Sequence, residues 1–355
     1  MSEFPARWWH AAADDRLQCD LCPRDCRLND GQRGMCFVRA RQGDQLVLTT
    51  YGRSSGFALD PIEKKPLHHF YPGTSVLSFG TAGCNLACKF CQNWDISKSR
   101  EMDRLADRAT PEAIARAARA AGAVSVAFTY NDPTIFAEYA MDAADACHAL
   151  GIKTVAVTAG YIRAAPRVEL YAKMDAANVD LKAFTDEFYR RQCAAHLEPV
   201  KDTLRYLVRE TGVWTEITTL LIPGLNDSDA ELTKLVEWVA ADLGLDVPLH
   251  FTAFHPDYRM LDTPPTPPAT LRRARGIGLE AGLRYVYTGN VHDRDGGTTR
   301  CPSCRAAVLE RDWYDIVVAR IDRGACSACG TPIPGRFGDT VGSFGRRRMR
   351  VVIGT

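Results

Sequence analysis

Apolar positions along this chain form short, β-branched runs separated by longer stretches in which they recur every three or four residues. Residues 76–79, 124–128, 154–158, 177–181, 214–222 and 249–252 read as six strands. A seventh, 284–287, closes or caps the set, and 45–51 reads as a strand ahead of it. Between them lie helical stretches at 135–150, 186–194, 200–210, 228–243 and 268–281, and one that starts at Thr110 and Pro111 and stops at Gly122. Short strands alternating with helices of about three turns predict an α/β domain with a parallel sheet and right-handed crossovers. Periodicity leaves a barrel and an open, doubly wound sheet both standing.

At 355 residues the chain has room for one large α/β domain with small appendages. The expected division is a cysteine-rich segment over 1–73, the α/β core over 74–290, a second cysteine module over 291–340 and a basic tail over 341–355. A formal net charge of +1 gives no overall pull towards nucleic acid or an acidic membrane. The tail's Arg346-Arg-Arg-Met-Arg350 reads as a solvated end, not a nucleic-acid face. The first residues lack the apolar core of a signal peptide, and no apolar run is long enough to span a bilayer. Eleven of the thirteen cysteines fall into three groups with ligand-like spacing, which fits thiolates on metal in a reducing, cytoplasmic setting. Cys147 and Cys193 are left over and read as helix packing residues.

Cys84, Cys88 and Cys91 follow the first core strand. Three thiolates in eight residues reach three corners of a [4Fe–4S] cube and leave one iron open to a second molecule. Gly80 and Gly83 would let backbone approach so bulky a group. A zinc loop or buried free thiols are the alternatives, but zinc wants a second knuckle nearby. Cys19, Cys22, Cys26 and Cys36, with Gly31 and Gly34 between them, can close a tetrahedral site that zinc would fill; a second iron–sulfur cluster is the competing reading. Cys301, Cys304, Cys326 and Cys329 are two C-x2-C knuckles around a strand-like 313–318, a zinc-ribbon pattern whose ligands would also suit a rubredoxin-like iron.

Barrels carry their chemistry on the loops after the strands, and here every such loop is polar. The second ends in Thr129-Tyr-Asn-Asp-Pro133 and the fourth in Asp180-Leu-Lys182, whose charged pair shares one strand face. That pair is either an internal ion pair or part of a ligand pocket. Glu216, on an otherwise apolar strand, reads as inward-facing and polar. His250 and His255 are candidate proton donors, substrate ligands or structural groups, with His255 weighed towards function by its His-Pro-Asp-Tyr loop. The run from Asp60 to Pro72 reads as either a solvated surface loop or a wall of the site, and His68 and His69 taken singly as structural.

The C-x3-C-x2-C spacing, with Phe90 before its last cysteine, resembles the signature of radical S-adenosylmethionine (SAM) enzymes. Cys19-Asp-Leu-Cys-Pro-Arg-Asp-Cys26, Asp60-Pro-Ile-Glu-Lys-Lys-Pro-Leu-His-His-Phe-Tyr-Pro-Gly73, Cys91-Gln-Asn-Trp-Asp-Ile-Ser97, Asn178-Val-Asp-Leu-Lys-Ala-Phe184 and the C-terminal knuckles together resemble one subgroup. It is similar to the radical SAM component of the AmmeMemoRadiSam system, related to pyruvate formate-lyase activating enzymes. The resemblance covers about residues 16–335 and implies a partial (β/α)6 TIM barrel, a [4Fe–4S] cluster on Cys84, Cys88 and Cys91, and SAM as cofactor. It also implies reductive cleavage of SAM to a 5′-deoxyadenosyl radical that abstracts hydrogen, a low-potential electron donor such as flavodoxin or ferredoxin, and Memo-like and AMMECR-like partners. Asp132 stands where relatives carry the glutamate that holds the SAM ammonium, with Asn131 adding a hydrogen bond. Asp180, Lys182, Glu216 and His255 are carried as further cofactor-side candidates. Ala159 departs from the Asn expected before Gly160, which removes one SAM contact. A glycyl-radical activase is the alternative within this class, and a non-catalytic iron–sulfur or zinc protein the alternative outside it.

Overall fold

The computed structural model describes residues 4–99 and 107–353. Ser75–Phe79, Ser125–Phe128, Lys153–Thr158, Ala176–Asp180, Trp214–Leu221, Leu249–Ala253 and Val286–Gly289 pair side by side in chain order, every neighbour parallel. Their residues are mostly buried on both faces, because crossover helices cover one face and Ile62, Leu67 and Phe70 pack against the other. Thr110 caps the Pro111–Ala120 helix by accepting from the Ala113 amide at 3.2 Å. The seventh strand extends the sheet instead of capping it, and among the described residues its outer edge pairs with no other strand, so the ladder is open.

The expected boundaries do not hold at either end. Phe57–Pro61 pairs antiparallel with Ser75–Phe79, so the sheet runs straight through the 73/74 division. Met349–Val351 in turn pairs with Phe57–Pro61, so the basic tail ends in an edge strand while Arg346 to Arg350 stay exposed to solvent. Gly342 and Phe344 donate backbone bonds to Pro72 and Gly73 at 2.9 Å each, and Arg346 pairs with Asp315 at 3.0 Å. Charge density alone says nothing of an edge waiting to be covered. Two-turn Ala164–Tyr171 is a helix the periodicity missed; it has no side-chain cap to announce it. Within the C-terminal module Ala307–Asp312 and Asp315–Ala319 form a hairpin, and Trp313, at φ +57°, is its turn and not a strand residue.

The run from Asp60 to Pro72 is not a solvated loop. Asp60, Glu63, Lys65, His68, His69 and Phe70 are all buried. Its charges are satisfied locally: Lys64 and Lys65 reach Asp60 at 3.0 and 2.8 Å, and Glu63 accepts from the Gly73 amide at 2.7 Å. Burial works to raise Asp60, but Lys65 and Lys64 outweigh it and hold the carboxyl down to about 2. His69 bridges Tyr287 Oη at 2.6 Å and the Pro334 carbonyl at 2.7 Å, tying this run to the C-terminal module.

Candidate active site

Cys84, Cys88 and Cys91 open onto a cavity at the C-terminal ends of the strands. The cysteine loop is clamped from several sides. Asn131 Nδ2 donates to the Gly83 carbonyl at 2.9 Å and its Oδ1 accepts from Thr81 N at 3.3 Å. Lys98 Nζ donates to the Leu86 carbonyl at 2.8 Å, and the Ala87 and Lys89 amides donate to Cys193 and Gln192. Gly80 and Gly83 let backbone segments meet closely: a Cβ on Gly80 would stand 2.3 Å from the Thr129 carbonyl oxygen, and one on Gly83 1.9 Å from that of Cys36. Only glycine lets these backbones touch.

Each thiol has its own surroundings. Leu86 N donates to Cys84 Sγ at 3.4 Å, and burial pushes that thiol up to about 12. Cys91 Sγ lies 3.0 Å from Ser97 Oγ. Cys193, expected to be a packing residue, lies beside Cys88 and lowers its thiol, with Lys182 acting in the same direction. Neither Ser97, Lys98 nor Cys193 was singled out from sequence. Lys98 and Ser97 sit just past the motif, within reach of a careful reading; Cys193 arrives from over a hundred residues away and gave no signal.

Asp132, Asn131, Asp180 and Lys182 also line the cavity. Asp132 accepts from the Thr134 amide at 2.9 Å, the Ala159 amide at 2.8 Å and the Thr158 hydroxyl at 3.1 Å, which leaves roughly one of its acceptor positions for a ligand. Lys182 Nζ pairs with Asp180 at 2.8 Å. Burial works to lower Lys182, but Asp180 and the Cys88 thiolate outweigh it and hold the ammonium well above its ordinary value. The pair is therefore both an ion pair and part of the cavity wall.

Two expected cofactor residues are not brought to this cavity. Glu216 lies fully buried one inward-facing position below Thr218, which does line it. Its two-residue strand period faces it inward as expected, but at the level of Asn178, its register partner. There it accepts from His68 N at 3.0 Å, His69 N at 2.8 Å, Trp214 Nε1 at 2.9 Å and His250 Nε2 at 2.7 Å. It is a structural hub with no position left for a ligand. His255 is exposed and touches only the Pro256 carbonyl, at 3.4 Å. Its neighbours make the contacts instead: Asp257 accepts from Trp94 Nε1 at 2.9 Å and Arg259 N donates to the Lys89 carbonyl at 3.1 Å, latching this loop over the cysteine loop.

A second, smaller cavity adjoins the first, sharing Lys64, Pro66, Thr252 and Asn290 with it. Glu63, His68 and Arg311 line it, and each keeps one buried atom (Oε2, Nδ1 and Nε) without a hydrogen-bond partner. Burial holds His68 neutral. At the far end, Cys301, Cys304, Cys326 and Cys329 bring their sulfurs within 4.8 Å of one another, a four-cysteine metal site.

These features coincide with what comparison finds. Over 330 residues the chain is 39% identical to the uncharacterized protein MJ0808 of Methanocaldococcus jannaschii, covering 92% of this chain and 98% of that one. A radical SAM methyltransferase from Sphaerobacter thermophilus shares the fold with TM-score 0.50 and 17% identity, over 81% of this chain and 76% of that one. A domain of pyruvate-formate lyase-activating enzyme from Bacteroides vulgatus aligns at TM-score 0.42 and 18% identity, over 47% of this chain and 99% of the domain. The Radical SAM superfamily matches residues 79–236, the span that carries the cysteine loop and four of the parallel strands. This span of the chain is a Radical SAM domain.

Proposed function

We propose that the chain is a radical SAM enzyme whose Cys84, Cys88 and Cys91 hold a [4Fe–4S] cluster and whose main cavity takes SAM beside it. The observation that carries this is three thiols, with no fourth cysteine among the described residues that line the cavity, facing a space walled by Asp132, Asp180 and Lys182. When bound, cluster and SAM supply a one-electron cleavage that yields a 5′-deoxyadenosyl radical able to remove a hydrogen atom from a substrate. The chain's own share is geometry. Asn131, Lys98 and the 192–193 carbonyls fix the cysteine loop, the free acceptor side of Asp132 suits an ammonium group, and the Asp180–Lys182 pair sets the charge opposite it.

The substrate side is the adjoining cavity. Glu63 Oε2 and His68 Nδ1, buried without a hydrogen-bond partner beside the Arg311–Glu63 ion pair at 3.8 Å, suit a small polar molecule that both donates and accepts hydrogen bonds. Membership of the AmmeMemoRadiSam subgroup, Memo-like and AMMECR-like partners, a flavodoxin or ferredoxin donor, zinc on the C-terminal quartet and a cytoplasmic location belong to this proposal and rest on the motifs. No described helix is long and apolar enough to cross a membrane. The test is anaerobic: reconstitute with iron and sulfide, add SAM and dithionite, and follow 5′-deoxyadenosine by chromatography. The wild type should make it, and Cys88→Ala should not while still binding metal at its C-terminal quartet. No product from a protein with its cluster intact overturns the reading.

A further inference from the structure

The chain contains its own reference for what a single metal ion requires. Around a zinc ion with Zn–S near 2.3 Å, tetrahedral geometry sets sulfurs about 3.8 Å apart. The C-terminal quartet meets this, with Cys301–Cys329 at 3.6 Å and Cys304–Cys326 at 3.7 Å. Cys19, Cys22, Cys26 and Cys36 also line one small space together. Yet no three of their sulfurs, among the described residues, come within 4.8 Å of one another. Irons and inorganic sulfides placed between ligands spread the thiolates to roughly 6 Å.

The walls of that space agree. Arg39, 1% exposed, ion-pairs with Glu138 through one end only, and its Nε and Nη1 have no partner. Arg24 lines the same space, donating from Nε to the Asn85 carbonyl at 2.8 Å and leaving Nη2 buried and unpartnered. Buried guanidinium donors left idle are costly. Anionic sulfides and thiolates would satisfy them. Gly34 sits equally close to Cys26 and Cys36, 3.7 Å from either sulfur to an added Cβ, so the turn has just the room these thiols leave.

We infer that Cys19, Cys22, Cys26 and Cys36 hold a second iron–sulfur cluster rather than a single zinc ion. Four protein thiolates leave no iron open to a small molecule, so its chemistry is one-electron transfer, with no bond made or broken. Its loop lies against the first: the Gly83 backbone touches Cys36, and Asn85, next to Cys84, forms part of its wall. One electron accepted from a reduced low-potential flavin or iron–sulfur protein would pass from here to the Cys84 loop. That destination rests on the function proposed above; the site itself does not.

The test is metal content and spectroscopy of the full chain with Cys84, Cys88 and Cys91 all changed to alanine, reconstituted anaerobically. It should keep about two to four irons with matching sulfide, a broad visible band and a dithionite-reducible electron paramagnetic resonance signal. In the wild type, iron should exceed the roughly four atoms of one cube, with about one zinc per chain. Adding Cys22→Ser to the triple variant should remove the remaining iron. A colourless triple variant, or a wild type with one cube and about two zinc ions, overturns the assignment. Missing 5′-deoxyadenosine in the wild type would sink the radical reading and leave this iron count unmoved.

Discussion

Glu216→Gln separates a structural hub from a cofactor ligand. The carboxylate takes four donors, two on each oxygen, with no water-facing side. Glutamine keeps one acceptor oxygen for two of them and turns an NH2 towards the other two. The least costly arrangement puts that NH2 beside His68 N and His250, whose ring can switch tautomer and accept, and orphans the His68 amide. One buried unsatisfied N–H costs about 1–3 kcal/mol, and exchanging charged for neutral acceptance about 1 kcal/mol more, for a sum near 2–4 kcal/mol. At about 2–3 °C per kcal/mol for a chain of this size, the midpoint of thermal unfolding should fall by about 5–10 °C. Melts of wild type and variant, run anaerobically at one scan rate with metals loaded, measure it. SAM binding, followed by the change it causes in the cluster's spectrum, should survive at temperatures where the variant is folded. A midpoint shift under about 2 °C, together with lost SAM binding, would refute the hub and restore Glu216 as a cofactor residue.

Two further outcomes follow from single positions. Gly83→Ala forces a Cβ to 1.9 Å from the Cys36 carbonyl at φ +80°, and should cost about 3 kcal/mol or more while lowering iron content, both read by melts and metal analysis. Burial pushes the Glu63 carboxyl up from 4.5 to about 7. The folded state therefore holds a proton the unfolded state has lost, and this share of stability, present below pH 4.5, disappears as pH rises through 7. The difference in unfolding free energy between wild type and Glu63→Gln should fall by about 3 kcal/mol across that window, measured by denaturant titration; a flat difference would refute it.

Local signals carried much of this protein. Strand and helix periods predicted a parallel α/β sheet in chain order, because each element must bury its own apolar face whatever its neighbours are. Three cysteine groups were visible because thiol ligands to one metal centre can lie close in sequence. Tertiary structure decided what spacing leaves open. Register set Glu216 one layer below the cavity, although alternation alone gave it the right face. Chain crossing brought Cys193 to Cys88, Gly83 to Cys36 and the tail to the sheet edge, contacts between residues too far apart for any local pattern to record. The two outer quartets have similar ligands in sequence, and only the distances between their sulfurs tell them apart.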